Sequence, residues 1–195
     1  MTLDIVLIII SSILTISAVI PCIVNITRGK TKPRIASWFI WSVLSMIVGA
    51  AALSEHQYST AILSLASSVS SVLVVIFSWE NGDRKIGHFD IVCLAGAMVG
   101  IVLWAMFNSP TIAVLAIIVT SFIGGIPTIA HSWGNPNEEA ESTYIIYSIG
   151  AVFTLLTLAD WRITAFAYPV YLVLMNILFV SIIFFRKRIQ ITKKR

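Results

Sequence analysis

Asn176 is the one strongly polar side chain deep within an otherwise apolar stretch near the C-terminus of this 195-residue chain. An amide in apolar surroundings needs hydrogen-bond partners, because leaving it unpaired costs free energy. It can form an interhelical bond worth about 1 kcal/mol, or it can bind a polar solute. Ser70 lies 106 positions earlier, also within an apolar stretch. We predict that Asn176 and Ser70 are substrate-binding residues that hydrogen-bond a small solute.

An internal repeat supplies the offset of 106 residues. The offset aligns two pairs of large aromatic residues, Trp38 with Trp41 and Tyr144 with Tyr147, each pair separated by three positions. This spacing places both rings of a pair on one helix face, and two related faces point at a common axis. The pairs are predicted to form a gate on the cytoplasmic side. Because tryptophan and tyrosine are also enriched at membrane interfaces, anchoring in the membrane is the alternative.

Prolines recur at the same offset, Pro21 in the first copy and Pro127 in the second, where Gly124 and Gly125 lie just before it. A proline within a helix leaves one carbonyl without its usual donor and bends the helix. These four residues are predicted to form hinges used in alternating access. A static kink is the alternative.

The composition indicates an integral membrane protein, since 58% of the residues are hydrophobic and 11% are charged. A helix needs about 20 apolar residues to cross a bilayer, and its backbone groups must be satisfied internally. Seven such spans are predicted: Leu3–Asn25, Trp38–Leu53, Tyr58–Trp79, Phe89–Phe107, Pro110–Ser132, Thr143–Leu158 and Ala165–Phe185. In the third span, small polar residues recur on one face at roughly helical spacing: Thr60, Ser64, Ser67, Ser71 and Ser78. They are expected either to bond their own backbone or to line a polar pathway.

The 13 Lys and Arg residues indicate the orientation. Seven spans with the N-terminus outside and the C-terminus in the cytoplasm leave only Arg162 outside. The predicted location is therefore a cell membrane, plasma or inner, crossed several times. The basic C-terminal run is expected to bind membrane lipids and no nucleic acid.

The repeat and the odd number of spans predict the domain organisation. Three helices end on the opposite side of the membrane from where they begin, so a second copy in the same orientation requires one additional crossing. The predicted units are a three-helix repeat at residues 1–81, a linker helix at 82–108, a second three-helix repeat at 109–186 and a basic cytoplasmic tail at 187–195. The fold class is an all-α integral membrane protein of seven transmembrane helices in a 3+1+3 arrangement. Parallel repeats of this kind build transporter folds.

Each copy carries a proline near the end of its first helix and a serine or threonine at the start of its second: Pro21, the basic loop Arg28–Arg34 and Ser37, then Pro127 and Thr143. With the linker helix, this pattern resembles the SWEET, semiSWEET and PQ-loop transporter superfamily. The resemblance implies alternating access between two triple-helix bundles, with substrate-contacting asparagines in the third helix of a repeat. The glutamine of the PQ-loop signature is replaced here by Cys22 and Thr128.

The apolar spans contain no acidic or basic side chain near their middle. A proton relay needs such a group within the membrane, so passive, uniporter-like transport is expected. No catalytic motif, metal-ligand spacing or cofactor motif occurs, and the chain is predicted not to be an enzyme. The expected substrate is a small neutral polar solute, with a sugar among the candidates. The alternative is a membrane scaffold that binds a partner without transport, and the sequence is compatible with a homo-oligomer.

Overall fold

The computed structural model describes residues 3–84, 86–107 and 109–193, and these form helices joined by short loops, without a strand. The elements are α1 (Leu3–Ser17), α2 (Val19–Thr27), α3 (Ile35–Ser54), α4 (Tyr58–Phe77), α5 (His88–Phe107), α6 (Pro110–Gly134), a 3₁₀ turn (Pro136–Glu138), α7 (Glu141–Leu155) and α8 (Ile163–Lys193). Five stretches of the described chain are long and apolar enough to cross a membrane: Ile5–Thr27, Ile35–Ser54, Tyr58–Phe77, Pro110–Gly134 and Ile163–Gln190. An all-helical membrane protein is thus supported.

Pro21 explains why the first predicted span consists of two helices. Proline has no N–H to donate to the carbonyl of Ser17, four residues earlier, and its ring clashes with that carbonyl. The helix is interrupted at Ala18, directly after Ser17. Pro127 lies at the equivalent place in α6, yet that helix is continuous from Pro110 to Gly134.

The helices pack in corresponding pairs. α4 contacts both α1 and α3, and α8 contacts both α6 and α7. Across the molecule, α1 packs on α7 while α3 packs on α6, and α5 lies against α6 and α3. Under the offset of 106, α1, α3 and α4 correspond to α6, α7 and α8. The same packing order therefore occurs in both halves.

The helices bury small polar side chains and expose large apolar ones. Ser11, Thr15 and Thr60 are buried, whereas Ile13, Val119 and Leu174 are at least 60% exposed. Soluble proteins show the opposite tendency, so this surface fits contact with lipid. Small residues permit the close contacts: a Cβ at position 150 of α7, a glycine, would lie 2.7 Å from Thr15 Oγ1.

Helix boundaries differ from the predicted spans mainly at the basic residues. α3 already begins at Ile35, and α8 continues to Lys193 through most of the predicted tail. Long cationic side chains can reach water from a helix end, so charges in sequence do not mark where a helix stops. Of the predicted basic residues, Lys85, Lys194 and Arg195 lie outside the described residues, as does the side chain of Cys93.

The bundle has two ends that differ in charge. The basic end comprises the loop 28–34, the segment 78–84, the loop 135–140 and the last turns of α8. The opposite end comprises the loops 55–57 and 156–162. Gly29 helps to form the first loop: with φ of +66° it ends α2, and Lys30 N–H donates to Asn25 O at 2.9 Å.

Candidate functional site

Four aromatic side chains form a cluster between α3, α7 and α8. Trp38 and Trp41 meet edge to face with ring centroids 5.5 Å apart. Trp41 lies 6.4 Å from Phe179, which stacks on Tyr144 at 4.7 Å. Such geometries stabilise beyond the burial of area alone. Three of the four predicted gate residues thus share one cluster with Phe179. The repeat could not reveal Phe179, because the equivalent residue in the first copy is a leucine, Leu73.

Trp38 and Tyr144 lie between two cavities, because both side chains line each of them. The outer cavity has a volume of about 440 Å³ and lies at the basic end, between residues 31–34 and 138–140. The inner cavity, of about 70 Å³, lies deeper among α3, α4, α7 and α8. These two rings therefore form a wall that the two cavities share.

The inner cavity collects five of the predicted site residues: Trp38, Trp41, Tyr144, Tyr147 and Asn176. Hydroxyl groups complete much of its wall: Ser45, Ser67, Ser71, Ser121, Tyr168 and Tyr171. A water molecule needs about 15 Å³ of such volume, whereas small-molecule sites usually measure about 300–1,000 Å³. The inner cavity therefore has room for a few waters, and a larger solute requires the helices to separate.

The Ser67 hydroxyl at the inner cavity is buried without a hydrogen-bond partner among the described residues. Buried polar groups in proteins are nearly always hydrogen-bonded, so this hydroxyl is available to a water or a solute. Asn176 already donates from Nδ2 to Leu172 O of its own helix at 2.7 Å. Ser71 likewise bonds its own helix while lining the cavity. Ser64 and Ser71 thus bond their own backbone, as one of the two expectations has it, and the polar pathway stays a prediction.

Ser70 lies apart from Asn176, although the repeat aligns the two residues. It is fully buried, and its Oγ donates to Thr15 O at 3.0 Å. It lines neither of the two cavities. The structure therefore gives Ser70 a bond between α1 and α4, and the cavity gives its predicted substrate role no support.

The predicted hinge residues lie around the outer cavity and the aromatic cluster. Pro127 lines the outer cavity, as does Cys22, which follows Pro21. Gly124 is buried in α6, and a Cβ at Gly125 would overlap the end of the Met175 side chain. Gly125 thus lies against the flexible end of the Met175 side chain where α6 packs on α8. The hinge role of these residues stays a prediction.

The outer cavity has walls of opposite charge. Lys32 and Arg34 lie on one side, and Glu138 and Glu139 on the other. Lys32 and Glu138 are equivalent under the offset of 106, so the repeat places unlike charges at related positions. The loop that carries Lys32 and Arg34 is bonded to the segment after α4, because Asp83 N–H donates to Pro33 O at 3.0 Å.

Glu139 connects the acidic wall to the predicted gate. Tyr144 Oη donates a hydrogen bond to Glu139 Oε2 at 2.9 Å. His131 Nε2 lies 3.9 Å from the other carboxylate oxygen and 3.4 Å from Glu138. The Glu139 side chain is only 12% exposed, and this burial raises the pKa of its carboxyl above the usual value. Sequence reasoning missed this residue because it lies outside the apolar spans, in a loop that looks merely acidic.

The opposite end is held together by bonds between its two loops. Gln57 Nε2 donates to both carboxylate oxygens of Asp160 at 3.3 Å. Arg162 lies 3.5 Å from Glu55 and 3.0 Å from Asp160. In addition, Ser59 Oγ donates to the carbonyl of residue 157 at 3.1 Å. This end therefore has direct polar contacts where the basic end has a cavity.

Thr60 makes a further bond at the opposite end, and a proline explains it. In α8 the carbonyl of Ala165 would normally accept the N–H of residue 169, but that residue is Pro169, which has none. Thr60 Oγ1 donates to this carbonyl at 2.5 Å instead. Both residues of the pair are fully buried or nearly so. A side chain of one half thus satisfies a backbone group left unpaired in the other half.

No family model, no curated protein and no solved structure matches this chain. The resemblance to the SWEET and PQ-loop superfamily accordingly stays a prediction from the sequence. Any statement about function depends on the cavities, the aromatic cluster and the bonds at the two ends.

Proposed function

We propose that this protein is a passive membrane transporter for a small neutral polar solute. Seven helical spans, with α1 and α2 counted as one, cross the membrane as two three-helix repeats joined by the linker helix α5. The N-terminus lies outside and the C-terminus in the cytoplasm, so the basic end faces the cytoplasm. Transport proceeds as one bundle rocks against the other around the inner cavity, with no enzymatic step.

The observation that carries this proposal is the difference between the two ends. At the basic end a cavity of about 440 Å³ leads to the Trp38 and Tyr144 rings. At the opposite end, bonds such as that between Gln57 and Asp160 join the loops. One open and one closed end around a central site is the arrangement that alternating access requires. The corresponding helix contacts in the two halves support the 3+1+3 organisation.

The lining of the inner cavity supports a neutral solute. It combines hydroxyl groups, the Asn176 amide and aromatic rings, and no charged side chain of the described residues lines it. A charged solute there would need a compensating charge to leave water. Hydroxyls and an amide can replace the hydrogen bonds that a neutral polar molecule such as a sugar makes with water.

The experiment is solute uptake into proteoliposomes, guided by a thermal-stability screen of sugars and other neutral solutes. A ligand that binds the folded state raises its apparent stability. Asn176→Ala should lower the uptake rate about tenfold or more, because the cavity loses a polar contact to the solute. Ile177→Ala is the matched control. Ile177 follows Asn176 on α8 but is 51% exposed, so uptake should stay near the wild-type rate.

Equal uptake by both variants would exclude Asn176 from the site. If wild-type protein moved no solute that stabilises it, transport would be wrong and the scaffold interpretation from the sequence would replace it. Collapse of a proton gradient in step with uptake would contradict passive transport.

A further inference from the structure

We propose that Glu139 is a positioning residue for the gate. Its carboxylate holds the Tyr144 ring between the two cavities, and the ring is released when the carboxylate loses its charge. This inference deepens the proposed function, on which its biological meaning rests. It assigns a role to a loop residue that the repeat analysis did not single out.

The geometry gives the first step. Tyr144 is buried, its ring stacks on Phe179 at 4.7 Å, and its hydroxyl donates to Glu139 at 2.9 Å. The ring is therefore fixed at both its face and its tip. Because Tyr144 lines both cavities, opening a passage requires the ring to move. Such a movement stretches or breaks the bond to Glu139.

The charge of Glu139 gives the second step. A hydroxyl that donates to an ionised carboxylate makes a stronger bond than one that donates to a neutral acid or amide. Burial raises the pKa of Glu139, so it takes up a proton at a higher pH than an exposed glutamate does. Protonation weakens the bond, and the Tyr144 ring is then restrained mainly by its stacking contact.

The neighbours of Glu139 are compatible with this role. His131 of α6 and Glu138 of the same loop face it most closely, and Cys22 of α2 also lies near. Across the outer cavity are Lys32, Arg34 and Asp83. His131 stabilises the ionised carboxylate when it is itself charged, whereas Glu138 opposes ionisation. Both act on the charge of Glu139, and among the described residues it is Glu139 that accepts the hydrogen bond from the Tyr144 hydroxyl.

The two halves differ at this point. Pro33 occupies the position equivalent to Glu139, and Trp38 the position equivalent to Tyr144. Proline offers no side-chain acceptor to the indole N–H of Trp38. The control of the gate by charge is thus confined to the second half, and the asymmetry of the two loops acquires a function.

The test measures access to the inner cavity and needs no transport. Ser67 lines that cavity with an unpartnered hydroxyl, so Ser67→Cys removes no hydrogen bond among the described residues. It is introduced after replacing Cys22 and Cys93 by alanine. The rate of modification by methyl methanethiosulfonate is then measured on the purified protein at a fixed pH near 7.

Four variants in this background separate the possibilities. Tyr144→Phe keeps the ring but removes the donor, and should raise the modification rate about 10-fold to 100-fold. Glu139→Asp keeps the charge but shortens the reach, and should behave in the same way. Glu139→Gln retains a neutral acceptor and should give about a fivefold increase. Glu141→Gln, at the first residue of α7 and paired with Lys187, is the control and should match the parent.

The pH dependence distinguishes this role from a merely structural one. The ratio of modification rates, Glu139→Gln over parent, cancels the titration of the introduced thiol. It should fall towards one as the pH is lowered through the pKa of Glu139. In the double variant with Tyr144→Phe, the ratio should already be near one at neutral pH, because the two changes remove the same bond.

Equal rates for Glu139→Gln, Glu139→Asp and Glu141→Gln would overturn the proposal. A pH dependence beyond that of the introduced thiol would also overturn the proposal if it persisted in Glu139→Gln and disappeared in His131→Gln. If a variant unfolds, the pH series on the parent and the remaining variants still decides. Faster modification combined with no solute uptake would refute the proposed transport and leave the gate in place, whereas normal uptake with unchanged modification would refute the gate alone.

Discussion

Each end of the bundle is built from two loops that correspond under the offset of 106. The two loops are joined in different ways at the two ends. At the opposite end, Gln57 and Asp160 bond directly, and Thr60 donates to a carbonyl of the other half. At the basic end, the related walls carry unlike charges and stand on either side of the outer cavity. The local sequence of the two copies does not predict this difference between the ends, and in the proposed transport cycle the directly bonded end is the closed one.

Locking the closed end permanently should have the largest effect on this comparison. A short bifunctional thiol reagent across Gln57→Cys and Asp160→Cys, in a background without the native cysteines, is expected to stop uptake into proteoliposomes completely. Alternating access requires this end to open in each cycle. Modification of Ser67→Cys should continue at its usual rate. Unreduced uptake after full cross-linking would show that this end need not open.

Removing the bond between Thr60 and Ala165 should have the next largest effect. Thr60→Val keeps the shape but leaves a buried carbonyl unpaired, and should lower the free energy of unfolding by about 1–3 kcal/mol. Because Pro169 is the reason that this carbonyl lacks its helical donor, Pro169→Ala should lessen the loss in the double variant. Thermal or denaturant unfolding measures both. A purely additive double variant would refute the link between the proline and the threonine.

Replacing Glu139 at the basic end should stabilise the fold by a smaller amount. Its pKa is raised in the folded state, so the folded protein binds this proton more tightly than the unfolded chain. Stability from this group is therefore complete below the usual glutamate pKa and is lost as the pH rises through the raised value. Glu139→Gln should raise Tm by a few degrees near pH 7 and by almost nothing near pH 4. A lower Tm at neutral pH would contradict the direction of the shift.

The exposed ion pairs at the opposite end should matter least. The Arg162 side chain is 62% exposed in its pairs with Glu55 and Asp160. Surface pairs are usually worth about 0–1 kcal/mol and are weakened by salt. Arg162→Ala should thus change the equilibrium constant of unfolding and the uptake rate by less than a factor of about five. At high salt it should change neither. A larger loss would mean that charge, rather than the buried bonds, holds this end closed.

The aromatic cluster shows how far pattern reasoning reaches. The offset that aligns Trp38 with Tyr144 was visible in the chain, and both rings belong to one cluster, in which Trp41 and Phe179 lie between them. The same offset paired Asn176 with Ser70, but only Asn176 reaches the inner cavity. A repeat predicts equivalent places on helices. It does not predict whether each side chain finds a cavity or a neighbouring carbonyl, because that depends on how adjacent helices pack.

Glu139 illustrates the converse. In the sequence it is one of several acidic residues in a polar loop, and its type alone indicates a solvated charge. Folding of the loop over the outer cavity buries the carboxylate beside Tyr144. A search restricted to ionisable residues within apolar spans cannot find such a group.

By itself the sequence determined the helical character, the membrane-like composition, the internal repeat and the places of its prolines and aromatics. These follow from local properties: the hydropathy of each segment, the missing N–H of proline and the period of a helix. Only the tertiary structure decided which end has a cavity, which hydroxyls lack partners and why Thr60 lies against the carbonyl that Pro169 leaves unpaired. Those features arise between helices distant in the chain, where packing selects among contacts that the local pattern leaves equally available.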